Sequence, residues 1–319
     1  MTLWIVRDKR ALKTVVVLMM VVVVAVALMA IRDYMNEADS SLDKARIGGI
    51  AEHSNTLGAF FVYYMFLFLG FFLVYSRRPK AWLLLIPFTL CFRGIMVTFS
   101  RGAYLGFAVG SLAAAFFRSK VLFLAALAVG VLMVVNPVFL PSGIRYRMGQ
   151  TMEGDVPPGM VQEDITQSLD GSAQTRIKIW EGALQMIKDH PWWGVGYGAF
   201  PAFIPHYTEG EIGLMDAHNS YLLIAAEMGI PTLLVFLLLL FMALYYTYWL
   251  YRHTEDPMIQ AVALGFLAGL FGLIVTNMFG SRMDDQAVSS YFWILCGLIM
   301  RAVLMERQVI REKRKAAAA

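Results

Sequence analysis

Long, uninterrupted apolar runs are the feature that most constrains the fold of this chain. A helix of about 20 mainly apolar residues can cross the hydrocarbon core of a bilayer. Eight runs approach or exceed that length; the fourth is short, and the sixth is long enough to tilt or to project beyond the membrane. The sequence therefore predicts an all-α, polytopic membrane bundle. The runs cover residues 12–31, 57–75, 81–99, 102–117, 121–140, 221–251, 258–280 and 287–304.

The composition excludes a water-soluble protein. Of the 319 residues, 59% are hydrophobic and 16% are charged, against roughly 45–50% and about 25% in soluble domains. A soluble fold of this length has too little interior to bury so much apolar surface. A soluble enzyme, a nucleic-acid-binding domain and a disordered chain are therefore excluded, and no nucleic-acid partner is expected. Cys91 and Cys296 both lie in apolar runs and imply no disulfide.

Lys and Arg are distributed unequally between the two sides of the eight spans. Connections on one side, such as 7–13 and 301–315, are densely basic, whereas basic residues on the other side are spread over longer segments. The positive-inside rule then predicts that both termini are cytoplasmic. The chain divides accordingly into membrane helices 1–5 (1–140), one large external loop (141–220), and membrane helices 6–8 with a basic tail (221–319).

The external loop contains a predicted amphipathic helix. Over 174–189, four apolar residues recur at helical spacing, and polar residues occupy the other faces. The next segment, 192–200, alternates aromatic residues with glycines, and amphipathic rings of this kind settle at the headgroup level of a bilayer. We therefore expect the loop to lie on the outer leaflet. The apolar face comprises Ile177, Trp180, Leu184 and Ile187, and the aromatic residues are Trp192, Trp193, Tyr197 and Phe200.

Charged and polar residues at the external ends of the spans are the main indication of function. Arg101 lies in the short turn after the third span, Arg176 opens the loop helix, and Arg282 follows the seventh span. His218 and Asn219 stand just before the sixth span. Arginine stays charged and binds phosphate through parallel hydrogen bonds, so such a set suits a phosphate-bearing ligand. The alternative for each arginine is contact with membrane lipids.

His218 is the strongest candidate for a general base. A helix N-terminus disfavours the imidazolium, which keeps the ring neutral and able to accept a proton, and Asp216 and Asn219 adjoin it. Arg93 and Glu227 are charged residues inside the spans, where charges are functional candidates by default. Structural pairing of Arg93 with Glu227 is the alternative.

Motifs for nucleotide hydrolysis and zinc binding are missing from the sequence. It contains neither GxxxxGK[ST] nor HExxH nor a CxxC pair. The glycine spacing of 194–200 also differs from the dinucleotide-binding fingerprint. We therefore expect neither a metal site nor a cofactor.

Four short polar and aromatic motifs follow one another along the chain. They are TFSRGAYL at 98–105, TR with a following tryptophan at 175–180, DHPWWGVGYG at 189–198, and HNSYL followed by EMGI at 218–230. Together with Asn55 near the mouth of a span, these motifs resemble the O-antigen ligase and polymerase family of polytopic membrane glycosyltransferases. The similarity extends over about residues 46–305.

The resemblance implies a GT-C-like fold and metal-independent glycosyl transfer on the periplasmic face of the bacterial inner membrane. It implies a glycan donor on polyprenyl (undecaprenyl) diphosphate, and an acceptor hydroxyl on lipid A-core, on another glycan or on a protein, in lipopolysaccharide or other surface polysaccharide biosynthesis. The family's functional arginines match Arg101 and Arg176, and its essential histidine matches His218. The expected substrate contacts are Asn219, Arg282, Glu227, Arg93, Asn55 and Trp180.

Three other functions are compatible with parts of the sequence. The first is a repeat-unit polymerase of the same family, which differs from a ligase in its acceptor. The second is a small-solute or anion transporter, in which the external arginines would form a vestibule. A transporter predicts polar residues at mid-membrane on several spans, whereas Arg93 and Glu227 alone fit that description, and no hydropathy repeat is found. The third is a non-catalytic assembly component.

Overall fold

The computed structural model describes residues 6–37, 53–136, 138 and 171–318, and the regular structure in these ranges is helical throughout. The expected all-α, polytopic fold class is therefore confirmed. The helices are α1 (Lys9–Glu37), α2 (Ser54–Tyr64), α3 (Phe66–Tyr75), α4 (Leu85–Thr98), α5 (Arg101–Arg118), α6 (Lys120–Val135), α7 (Gly171–Asp189), α8 (Phe200–Tyr207), α9 (Ser220–His253), α10 (Pro257–Thr276) and α11 (Gln286–Ala318), with short 3-10 helices at Pro79–Leu84 and Arg282–Asp284.

Six helical stretches in the described residues are long and apolar enough to cross a membrane. The fourth and fifth predicted runs form α5 and α6, which are not among these six stretches. Helix α5 carries an arginine at each end and three glycines, which lower its apolar character, and α6 has only 16 residues. The six stretches are Lys9–Asn36, Ser54–Tyr75, Pro79–Thr98, Ser220–His253, Pro257–Thr276 and Val288–Ala317.

The chain forms two compact units, each built from segments that are not contiguous in the sequence. The three-part division by membrane side stays a prediction, because it depends on the orientation in the bilayer. The first unit comprises Met1–Val131, Phe241–Thr276 and Asp284–Ala319, and the second comprises Leu132–Leu240 and Asn277–Met283.

Glycines allow the helices of the first unit to approach each other closely. A methyl group on Gly265 of α10 would lie 2.6 Å from the carbonyl oxygen of Phe66, and one on Gly269 would lie 2.3 Å from that of Tyr63. These distances leave no room for a side chain. Helix α10 therefore packs backbone to backbone against α2 and α3, as small residues permit in membrane helices.

The second unit has a hydrophobic core of its own, formed by α7, α8 and the start of α9. The expected loop helix is confirmed over 174–189, and the structure extends it to Gly171. The predicted apolar face is partly wrong. Leu184 is exposed, whereas Ile179, Ala183 and Met186 point into the core and Trp180 and Ile187 lie at its margin. The buried core residues are Ile179, Ala183, Met186, Phe200, Ile204, Ile212, Ala217, Leu223 and Ala226.

The buried face of α7 differs from the predicted one because the helix packs against protein and not against lipid. An interfacial helix buries its most apolar stripe in lipid, whereas α7 buries the stripe that meets α8 and α9. Phe200, expected among the interfacial rings, is fully buried in the same core. The surrounding core therefore determines which residues of α7 and the following turn are covered.

Helix α9 is broken at Gly229, which has φ 82° and ψ 165°. Pro231 lacks an amide hydrogen, and its ring excludes the carbonyl of Glu227 from the helical hydrogen-bond pattern. That carbonyl instead accepts a hydrogen bond from the amide of Gly196, and the amide of Ile230 donates to the carbonyl of Pro191. The loop that follows α7 thus satisfies the backbone groups that the break releases.

Candidate functional site

His218 lies in the second unit, two residues before the first residue of α9. Its φ is 50°, a left-handed conformation that few non-glycine residues adopt and that recurs at active sites. The backbone amide of His218 donates to Oδ2 of Asp216 over 3.1 Å. The imidazole Nδ1 lies 3.6 Å from the same oxygen. One carboxylate therefore contacts both the backbone and the ring of the histidine.

This arrangement is suited to proton transfer. A carboxylate beside Nδ1 favours the tautomer that carries the proton on Nδ1, and in that tautomer Nε2 is the basic nitrogen. Both side chains are about one-third exposed, at 35% for His218 and 39% for Asp216. The ring is therefore accessible to a substrate hydroxyl. Asp216 and His218, which are close in sequence, are therefore also in contact through the Asp216 carboxylate.

Asn219 caps the N-terminus of α9. Its side-chain oxygen accepts hydrogen bonds from the amides of Tyr221 at 2.9 Å and Leu222 at 3.2 Å. These amides have no partner within the helix, and asparagine is a preferred capping residue. The contacts of Asn219 thus stabilise the helix start that follows His218.

Trp180 connects α7 to the histidine segment. Its indole Nε1 donates to the carbonyl oxygen of Ala217 over 3.0 Å, directly before His218 in the chain. Arg176 lies one helical turn before Trp180 on the same side of α7, about 6 Å along the helix axis. The structure therefore brings α7, with Arg176 and Trp180, to the segment that carries His218.

Arg282 is buried in the second unit, although the sequence suggested a residue at the outer end of a span. Its backbone amide donates to the hydroxyl of Ser220 over 3.1 Å, and its Nη2 donates to the carbonyl of Phe279 over 3.3 Å. Gly280 makes this position possible, because a methyl group there would lie 2.1 Å from the guanidinium carbon.

Ser220 and Asn277 belong to the same polar network and were not singled out from the sequence. The Ser220 hydroxyl lies 2.6 Å from Oδ1 of Asn277 and 3.1 Å from the carbonyl of Gly280, and the amide of Ser220 donates to the carbonyl of Asn277. Both side chains are buried. The sequence feature that could have identified Asn277 is its position as a polar residue at the end of a long apolar run. The network holds the start of α9 against the 277–283 segment.

Arg101 is the first residue of α5 in the first unit. Helix α4 ends at Thr98, Phe99 adopts φ 49°, and the Ser100 hydroxyl accepts a hydrogen bond from the amide of Ala103 as the N-cap of α5. The helix N-terminus favours negative charge. Arg101 therefore adds a cationic side chain to a position that already attracts anions.

Asn55 lies at the same end of the first unit. It precedes Gly58 by one turn of α2, and a methyl group on Gly58 would lie 3.0 Å from the Thr98 hydroxyl and 2.9 Å from the Ala103 side chain. The first turns of α2 therefore pack against the turn that carries Arg101.

The two charges within spans have contacts of different kinds. The guanidinium of Arg93 lies over the ring of Tyr34, 5.6 Å from its centre, and the arginine is exposed. The carboxylate of Glu227 is buried and accepts a hydrogen bond from the amide of Phe200 over 3.1 Å. Glu227 thus stabilises the N-terminus of α8.

The sequence-predicted site residues divide between the two units. The second unit contains Arg176, Trp180, His218, Asn219, Glu227 and Arg282, and the first contains Asn55, Arg93 and Arg101.

Among the residues that the structure describes, no group of three or more His, Cys, Asp or Glu side chains could hold a metal ion.

The fold and these polar clusters define a multi-pass helical membrane protein. Residues 86–237 match the sequence model of the O-antigen ligase family. This match confirms the resemblance seen in the motifs, which is to a family of glycosyltransferase-like O-antigen ligases. A comparison with curated proteins gave no match. His218, Arg101 and Arg176 lie inside the matched segment, whereas Asn55 and Arg282 lie outside it.

Proposed function

We propose that this protein transfers a glycan from a polyprenyl (undecaprenyl) diphosphate carrier to an acceptor hydroxyl, as an O-antigen ligase-like enzyme. The observation that carries the proposal is the geometry of His218 within the matched segment. Its Nδ1 lies 3.6 Å from the Asp216 carboxylate, and residues 86–237 match the O-antigen ligase family. The reaction takes place on the periplasmic face of the bacterial inner membrane, with both termini in the cytoplasm.

His218 acts as the general base in this proposal. The acceptor oxygen attacks the anomeric carbon of the donor sugar, and the bond from that carbon to the phosphate oxygen breaks. The hydroxyl proton passes to Nε2 of His218, and polyprenyl diphosphate leaves with the bonding electron pair. A single displacement of this kind inverts the anomeric centre. The Asp216 carboxylate stabilises the imidazolium that forms.

Arg176 binds the diphosphate and offsets the charge that develops on it as the leaving group. Its place one turn before Trp180, whose indole donates to Ala217, supports this role beside His218. We assign the same phosphate-binding chemistry to Arg101 at the N-terminus of α5. Arg93 and Asn55 are proposed substrate contacts. Four further residues position these elements through the hydrogen bonds described above: Trp180, Asn219, Glu227 and Arg282.

The decisive experiment is in vitro glycan transfer by the purified full-length protein in lipid nanodiscs. A synthetic polyprenyl-diphosphate-linked oligosaccharide is the donor, and lipid A-core and a second carrier-linked oligosaccharide are tested as separate acceptors. We expect transfer to lipid A-core with loss of the carrier diphosphate. Transfer only to the second carrier-linked glycan would identify a polymerase and overturn the ligase assignment.

Matched histidine variants test the mechanism in the same assay. Removing a positioned general base costs about 10²–10⁴-fold in rate, so we expect a loss of that size in His218→Ala. His190→Ala is the control, because His190 is an exposed histidine at the end of α7 in the same unit. Equal rates for the two variants would show that His218 is not the base.

A further inference from the structure

The backbone of the aromatic loop, residues 191–198, is held firmly against the break in α9. The amides of Val195 and Gly196 donate to the carbonyls of Ala226 and Glu227, each over 2.9 Å. Methyl groups on Gly194 or Gly229 would lie within 2.3 Å of backbone atoms across this contact. The loop therefore has one position relative to the first turns of α9.

The side chains of the aromatic loop point away from that contact. Trp192, Trp193 and Tyr197 are 70%, 88% and 79% exposed. Three large aromatic side chains on a firmly held backbone form an exposed apolar surface of the kind that marks an interaction site. None of the three side chains belongs to the hydrophobic core of the second unit.

The exposure of the side chains of α9 changes at the Gly229 break, next to the aromatic loop. None of the residues from Ser220 to Gly229 is exposed, whereas exposed apolar side chains begin at Ile230 and continue along the helix. The exposed set in the second unit includes Ile230, Leu234, Val235, Leu237, Leu238 and Leu239. The break therefore separates a segment that packs on protein from one whose apolar side chains face outward.

The segment after the break has the length of a membrane span. At about 1.5 Å per residue, Pro231–His253 is roughly 35 Å long, close to the hydrocarbon thickness of about 30 Å. Arg252 and His253 stand at its far end. Trp and Tyr are the residues that accumulate where such a span meets the headgroups.

We propose that the aromatic loop is a docking surface for the phospholipid headgroup region, and that α9 enters the hydrocarbon only after the Gly229 break. The bilayer is the occupant that fits, because the exposed rings continue directly into the outward-facing apolar surface of α9. Trp192, Trp193 and Tyr197 then lie at the headgroup level, and Ser220–Met228 lies outside the hydrocarbon. This placement does not depend on the proposed transferase chemistry.

The test is the membrane depth of a nitroxide label on the full chain in phospholipid nanodiscs. The background is Cys91→Ala with Cys296→Ala, and single labels are placed by Trp193→Cys or, independently, by Tyr197→Cys. Leu234→Cys on the outward-facing surface of α9 is the deep reference. Arg314→Cys, exposed near the end of α11, is the aqueous reference. Depth is read from the ratio of oxygen to nickel-chelate accessibility.

We expect labels at 193 and 197 to report the headgroup level, shallower than the label at 234 and several-fold less accessible to the nickel chelate than the label at 314. Accessibility at both loop positions equal to that at 314 would overturn the docking surface. A depth equal to that at 234 would overturn the placement of the break. Stacking on a donor glycan instead of lipid would show as protection that appears only when the carrier-linked oligosaccharide is added.

Discussion

The carboxylate of Glu227 accepts a hydrogen bond from the backbone amide of Phe200, 3.1 Å away, and both residues are buried. Phe200 begins α8, whose first amides have no partner within the helix. A carboxylate from α9 thus caps a helix that is distant in sequence, and its charge is favourable at the helix N-terminus. The backbone carbonyl of Glu227 also holds Gly196, so this one residue positions α8 and the aromatic loop.

Replacing Glu227 tests this capping contact. Glu227→Gln keeps an oxygen that can accept the amide hydrogen of Phe200, whereas Glu227→Ala leaves a buried donor unsatisfied, which costs about 1–3 kcal/mol. We therefore expect a clearly lower Tm for Glu227→Ala in detergent and a small change for Glu227→Gln. Equal losses in the two variants would mean that the negative charge, and not the hydrogen bond, provides the stability.

Alanine substitutions at three glycines distinguish the cost of a steric clash from the cost of backbone strain. Gly194, Gly198 and Gly229 all have positive φ, at 66°, 74° and 82°, so alanine at each is strained by about 1–3 kcal/mol. A methyl group at Gly194 or Gly229 also meets backbone atoms within 2.3 Å, whereas nothing lies within 4 Å of one at Gly198.

Gly194→Ala and Gly229→Ala are therefore expected to lose about 1–3 kcal/mol more than Gly198→Ala through overpacking. The measurement is the midpoint of thermal unfolding for the three purified variants, with Gly198→Ala as the control for strain alone. Three similar midpoints would contradict the close approach of the aromatic loop to the α9 break.

Asp256 supplies a pH-dependent contribution to stability in the first unit. Burial acts to raise its pKa, but hydrogen bonds from Lys9 and from the amides of Ile259 and Met258 outweigh burial and lower the pKa below its usual value. Because the folded-state pKa is depressed, this contribution is complete above the unfolded pKa of about 3.9 and is lost as the pH falls through the folded-state pKa.

Asp256→Asn should accordingly lower the Tm at pH 7, and the difference from the unmodified protein should shrink as the pH falls below about 4. Asparagine keeps a cap for α10, so the loss reflects the charge, about 0.2–1 kcal/mol for an exposed pair. Lys9→Gln removes the same ion pair, which measures 2.8 Å, and should show a similar pH profile. A pH-independent difference would argue against the pair.

The contact between Asp216 and His218 predicts an order of activities. Asp216→Asn keeps an oxygen that can accept the amide of His218 but loses the charge beside Nδ1, and Asp216→Ala loses both. We expect glycan transfer to decrease from the unmodified protein to Asp216→Asn to Asp216→Ala, with His218→Ala lowest. The measurement is the single-turnover rate across a pH series. A shifted pH profile in Asp216→Asn at unchanged Tm would separate this role from a structural one.

Local sequence determined the helices and several local features of the site. Apolar runs predicted the long spans, and helical spacing predicted α7 with its end at Asp189. The short turn before α5 and the adjacency of Asp216 and His218 also follow from neighbouring residues. Each of these depends on hydropathy, chain geometry or contacts within a few residues, which a linear sequence contains.

Only the tertiary structure decided which partners these elements use. Helical spacing favoured Leu184 for the buried face of α7, but the packing of α8 and α9 buries Ile179 instead. Glu227 was expected to contact substrate or Arg93, and its hydrogen bond goes to Phe200. The partner of a buried polar group depends on which distant backbone amide the packed helices bring within about 3 Å, and no local pattern in the chain encodes that distance.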